Sequence, residues 1–363
     1  MTNPQVILSA ISPNGNAEAV VEQDERVAYF YLWGANEEIG VRSCWVRNIG
    51  EAPSQLDNVA MREGMAPMMP AAFCAHPQGA PPLREEELEV VWLEEGDAAA
   101  LVGGQDVLAV IPAWSGCKGF HGYAKDCTGE SPLAWALGSP ENNAIFSRID
   151  RARDFWDSWS GESSPWQGLQ SALIDAYTSQ LGNYSKYYGI DGGQWPPKAM
   201  LRIPVETAEV FVTLGMCIQP QPQIEMYVDE PCDGGRRIEL GFAVSESVPE
   251  ELVAGLATYM SGQTDLPWYN FTWLGEGHTI PCDVFRKTVP SSQFVAVLLT
   301  KNPTDAPHVS LPPINNDEVS LLWMVPLTQK ELNVARKLGS STLIGRLRSA
   351  GHGWIHRDRK SAV

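Results

Sequence analysis

A chain of 363 residues, 44% hydrophobic and 19% charged, carries enough apolar side chains for one large or two ordinary cores, which excludes a disordered protein. No apolar run is long enough to span a bilayer, and Met1 to Ala10 has neither a basic start nor a long apolar stretch, so the sequence predicts a cytoplasmic protein without a membrane partner. The net charge of −18 repels phosphate backbones and argues against nucleic acid as a ligand.

That charge is uneven. Residues 1–150 hold 21 acids and 8 bases, 151–335 hold 22 and 11, and 336–363 hold 1 and 7. The acidic body favours encounter with a basic partner, and the basic end, with Arg357, Arg359 and Lys360, reads as a frayed tail. Seven cysteines, at 44, 74, 117, 127, 217, 232 and 282, lack the dense spacing of a disulfide scaffold and read as buried free thiols.

In chain order, Gln5 to Ser12, Ala17 to Gln23 and Arg26 to Trp33 read as strands of a meander, turned at Pro13-Asn14-Gly15 and near Asp24-Glu25. Val41 to Arg47, Leu88 to Leu93 and Val107 to Ile111 continue this β-rich part, with an irregular stretch from Met61 to Pro82. Ser139-Pro140 and Ser164-Pro165 open two helices that read as a pair over 140–181. Their stripes, Ile145, Ile149, Ala152, Trp156 in one and Leu169, Leu173, Tyr177, Leu181 in the other, read as core.

Asn183 to Ala199 is a loop unusually rich in aromatics. Tyr187, Tyr188 and Trp195 are its candidate partner-binding residues, because such side chains combine apolar area with a polar handle. Glu209 to Ile218 and Arg237 to Ser245 read as strands around a loop, Pro220 to Gly235, that carries Asp229, Glu230 and Asp233. Ser247 to Glu250 has the spacing of a capping box, and Phe294 to Thr300 is a further strand.

Val319 to Val325 is an apolar run of strand length, expected at the centre of its sheet. Thr328-Gln329-Lys330-Glu331 follows as a capping box, Gly339 ends that helix, and Ser340 or Ser341 caps another that carries Leu343 and Leu347.

Chemical motifs are scarce. Cys117, His121 and Cys127, with Cys74 and His76, are spaced unlike zinc ligands, and no phosphate loop, GxGxxG, HExxH or GxSxG occurs. The expectation is no metal, no cofactor and no enzyme, with a hydrolase built on His121 or His278 as the rival.

Several segments together resemble the suppressor-of-fused domain family: Val210 to Gly215, Arg237 to Phe242, Pro249 to Tyr259, Gly277 to Ile280, Val297 to Thr300 and Leu327 to Gly339, in matching order. The first 140 residues are similar to the front half of longer bacterial members. The resemblance implies an α+β fold in two lobes, mixed β-sheets flanked by helices, with a β-rich N-terminal domain (1–138), a suppressor-of-fused-like domain (139–350) and a basic flexible tail (351–363). It also implies a protein that binds other proteins without catalysis. Animal members restrain a zinc-finger transcription factor, capturing a short peptide as an added strand, and bacterial members are read as immunity proteins against polymorphic toxins. The implied partner is therefore a basic toxin domain or an extended peptide. Asp233, with Asp229 and Glu230 beside it, takes the place of the family's binding carboxylate, while Pro220 stands near the position of the family's tyrosine.

Overall fold

The first four strands set the architecture of the N-terminal part. In β1 (Gln5–Ile11), β2 (Ala17–Gln23), β3 (Val27–Gly34) and β4 (Val41–Asn48), Ala19, Val21, Phe30, Leu32, Cys44 and Val46 all turn into the core. The four strands form one antiparallel sheet in sequence order. A short α1 (Asn58–Arg62) leads to a second sheet of β5 (Leu88–Trp92), β6 (Ala99–Gly103), β7 (Asp106–Ile111), β8 (Tyr123–Ala124) and β9 (Trp135–Ala136). α2 (Ile145–Ser160) lays Ile145, Ile149 and Ala152 on Val91, Leu93 and Ala100 of that sheet.

The computed structural model describes residues 4–160, 164–227 and 235–363. It is α+β with a β-rich N-terminal part, and it divides into two compact units: 1–164 with 268–272, and 165–267 with 273–363. The expected helical pair is thereby split. α2 belongs to the first unit and α3 (Trp166–Leu181) to the second. α2 also starts later than Ser139-Pro140. The Ser139 carbonyl accepts from the amides of Asn142 and Asn143 in a turn, and the Asn143 carboxamide oxygen then accepts from Ile145 N at 3.1 Å.

The second unit is built on an eight-stranded sheet. β10 (Lys186–Gly189), β11 (Ala199–Val205), β12 (Ala208–Leu214) and β13 (Arg237–Ser245) run antiparallel, and β16 (Val319–Thr328) joins β13 in parallel. β15 (Phe294–Thr300) and β14 (Thr279–Pro281) complete the row antiparallel. Every residue of β16 is buried between β13 and β15, as its unbroken apolar run predicts. α3 covers one face through Leu173, Tyr177 and Leu181.

α4 (Glu250–Gln263), the short α5 (Leu266–Tyr269) and α6 (Val284–Thr288) lie between β13 and β15 in the chain. The box expected at Ser247 to Glu250 does not form. Pro249 is the N-cap, the Ser247 hydroxyl lies 3.1 Å from that of Ser245, and Glu250 is drawn to Arg202 at 2.8 Å. The box at Thr328 does form and starts α7 (Gln329–Leu338). α8 (Ser340–Ser349) follows Gly339 directly, with no side-chain cap from Ser340 or Ser341.

The basic end is not a frayed tail. β17 (Ile355–His356) pairs in parallel with Ala243 and Val244 of β13, and Arg359 reaches Glu331 at 2.6 Å and the Pro326 carbonyl at 2.8 Å. A buried counter-charge and a vacant backbone edge hold a segment whose composition alone reads as solvated.

Candidate binding site

Residues 183–199 are less of a loop than their composition suggests. Lys186 to Gly189 become β10, which has only β11 as a neighbour in the described sheet and so forms its edge. Tyr187 is 42% exposed, and its hydroxyl accepts from the Gln170 carboxamide at 2.6 Å. Partial burial raises its pKa, against the lowering by that hydrogen bond. Tyr188 is half-buried opposite Met200. Beside them Arg202 is clamped by Glu250 and Glu209, which hold its guanidinium firmly charged.

Trp195 sits apart from this strand, in the turn that returns to β11. One Asp191 oxygen accepts from Gly193 N at 2.6 Å, the other from Lys198 N at 2.9 Å, and the Trp195–Pro196 peptide is cis. The buried Lys198 ammonium pairs with Asp265. Gly192 and Gly193 both have positive φ, which this turn requires. Trp195 is half-buried in a held loop, whereas Tyr187 stands on an open edge.

Asp229, Glu230 and Asp233 lie outside the described residues. The base of their loop does not. Gln221, fully buried, donates to the carbonyls of Gly235 and Leu274 at 2.8 and 2.9 Å, and its oxygen accepts from Leu274 N at 2.8 Å. Arg237, also fully buried, bonds Asp317 at 2.8 Å and the carbonyls of Cys217 and Ile218. Glu239 accepts from Thr213, from Gly215 N at 2.7 Å and from Cys217 N at 3.1 Å. Burial raises the pKa of its carboxyl despite those donors. These polar groups fix both ends of the acidic loop on the sheet.

Sequence reasoning passed over an aromatic residue within that loop and the rings beside it. The exposed Tyr227 ring lies 5.8 Å from that of Trp273, which lies 4.4 Å from the His278 imidazole. Burial lowers the His278 pKa. Only the exposed aromatic character of Tyr227 marks it, and three-dimensional neighbours 46 and 51 residues away in the chain leave no local signal.

Catalytic geometry is thin among the described residues. No group of three His, Cys, Asp or Glu side chains is placed to hold a metal, and no helix is long and apolar enough to cross a membrane. The Ser115 hydroxyl donates to the His121 backbone carbonyl. Cys44 and Cys217 are fully buried, and burial raises both thiols far from reactivity.

Residues 195–359 match the family model described as Suppressor of fused protein (SUFU). This part of the chain is similar to the suppressor-of-fused family. The suppressor-of-fused region begins at Trp195, takes in the acidic loop and the sheet from β11 onward, and ends at Arg359, the anchor of the C-terminal segment. Tyr187 and Tyr188 precede it. Two solved structures are similar to the chain, each at 16% identity over 54% of it. One is a SUFU homolog from Neisseria gonorrhoeae FA 1090, with a TM-score of 0.35 and 98% of that chain covered. The other is from a Sufu–Fu complex, with a TM-score of 0.37 and 92% covered. Comparison with curated proteins finds no match.

Proposed function

We propose that this protein works by binding another protein without catalysing a reaction, and that its partner is a basic toxin domain which it neutralises in the cytoplasm. The match of residues 195–359 to the suppressor-of-fused family carries the binding part of this reading. The net charge of −18 supports a basic partner, since a field of that sign speeds its encounter. In this reading Asp229, Glu230 and Asp233 meet the partner from a loop whose base is held by Gln221 and Arg237.

A second reading, capture of an extended peptide as an added strand, is favoured by β10. It is an open edge four residues long, with Tyr187 exposed beside it.

Affinity capture from the source lysate at low and moderate salt, followed by reconstitution, tests both. The expected result is a stoichiometric basic protein whose toxic activity stops when this chain is added. Recovery of a transcription factor or a short linear motif moves the reading to peptide capture. Asp233→Ala should weaken either complex without moving the unfolding midpoint, and unchanged affinity removes the loop from the interface. Neutralisation that disappears in His121→Ala or His278→Ala, with binding intact, would restore the hydrolase.

A further inference from the structure

The four-stranded sheet of the first unit turns one face to its core; on the other face Val20, Tyr29 and Trp45 are covered, while the end that carries Ile11, Trp33 and Val41 is open. Residues paired across antiparallel strands share a face. The register therefore sets Ile11, Glu18, Trp33 and Val41 in one row across all four strands on the outer face. Ile11 is 69% exposed, Trp33 47% and Val41 46%. Two rows further, Val6, 57% exposed, and Glu22 share this face with Tyr29, and Tyr31 lies between the rows. Isolated exposed apolar residues need no explanation, but a ladder of them on one flat face marks an interaction surface.

The same face is acidic. Glu18 lies within the first row and accepts from the Ser9 hydroxyl at 2.6 Å. At the other end a hollow of about 400 Å³ opens, lined by Tyr29, Tyr31, Glu22, Asp24, Glu25 and Glu63. Arg26, the one base among the described residues that line it, pairs with Asp24 at 2.6 Å and donates to the Ala66 carbonyl. The Tyr29 and Tyr31 rings stack at 5.8 Å. The Tyr31 pKa is pushed up to about 12, by burial first and then by the charges of Glu22 and Asp24. Carboxylates beside an aromatic face suit a guanidinium or ammonium group.

We propose that this face docks a basic segment of a partner protein, whose apolar side chains lie on Ile11, Trp33 and Val41 while an arginine or lysine enters the hollow beside Tyr31. Acidic lipid and nucleic acid are repelled by the same carboxylates, which leaves a basic polypeptide as the occupant. The surface lies wholly outside residues 195–359. It deepens the reading of this chain as a binder of a basic protein and rests on it.

The probe is a labelled, acetylated hexapeptide of alternating leucine and arginine, titrated into the full chain at moderate salt and read by fluorescence anisotropy. Binding should weaken about tenfold in the uncharged pair Trp33→Ser with Val41→Ser, and about as much in Glu22→Gln with Glu63→Gln, at unchanged unfolding midpoints. The leucine–glutamate counterpart should not bind. If the leucine–arginine peptide fails to bind, or binds the Trp33→Ser, Val41→Ser protein as well as the native one, the attraction is diffuse charge and the surface is wrong. A captured partner that is still inhibited with native affinity by that double variant also overturns the surface and leaves the binding function standing, whereas failure of the native chain to bind any basic partner overturns the function.

Discussion

Glu331 serves two structures with one carboxylate. Its Oε2 accepts from Thr328 N at 2.8 Å, closing the cap of α7, and from Arg359 Nη2 at 3.2 Å. Its Oε1 accepts from Arg359 Nη1 at 2.6 Å and from Ala362 N at 2.8 Å. The side chain is fully buried, which opposes ionisation, yet donors from Arg359, Ala362 and Thr328 hold the carboxyl below its ordinary range. The two partners in the box should therefore differ in cost. Thr328→Ala removes one capping bond, worth about 1 kcal/mol. Glu331→Gln leaves the poorly exposed Arg359 guanidinium without its counter-charge and should cost about 3 kcal/mol. Urea unfolding of the two variants checks the order, and equal losses would mean that Glu331 caps the helix without anchoring the C-terminus.

At the scale of elements, β17 is the piece whose docking depends on protons. His356 is buried edge-on against the rings of Phe285 and Phe294, at 5.3 and 4.9 Å between centroids. Burial first, and then the nearby Arg359, lower its pKa from 6.5 to about 4. The unfolded chain therefore takes up this proton between pH 6.5 and 4 while the folded one resists, so stability falls as pH drops through that window, by on the order of 3 kcal/mol. Below it Glu331 adds a second loss, as a carboxylate whose folded pKa is depressed. His278 and His352 are also lowered by burial, so His356→Phe should flatten the slope between pH 7 and 5 without abolishing it. An unchanged slope in that variant would place the titration elsewhere. The Thr328 box was legible because both of its partners fall within four residues and a buried strand fixes where the helix begins. The Ser247 box has the same spacing, but its helix starts at Glu250, too far along for the Ser247 hydroxyl, and Arg202 from a strand takes the glutamate. The C-terminal segment was misread because its anchor, Glu331, lies 28 residues back and its strand partner, β13, is more distant still. Strand-length segments between turn residues revealed β1 to β4 but not which face stays open, since that depends on what packs against the sheet. Tyr187 was legible as an exposed aromatic, whereas the edge it stands on exists only once β10 pairs with β11.

Over the whole molecule, 44 acids face 26 bases, and the excess has consequences for stability as well as for binding. Ion pairs such as Lys125–Asp106 at 2.7 Å and Arg153–Glu89 at 3.0 Å neutralise charge locally, and exposed pairs of this kind each contribute roughly 0 to 1 kcal/mol. They cannot offset the long-range repulsion among the remaining carboxylates, which destabilises the compact state while it keeps the protein soluble and draws in cations. Monovalent salt screens both terms, and at 0.1 M the screening length is about 10 Å, so added salt removes mostly the long-range repulsion. Raising sodium chloride from 0.05 to 0.5 M should therefore raise the thermal midpoint by a few degrees, measured by circular dichroism at pH 7.5 where His356 is neutral. The same addition should slow association with a basic partner. A midpoint that falls with salt would mean that local ion pairs outweigh the net charge, and the acidic surface would then be a stabilising lattice of pairs rather than a field available to attract a partner.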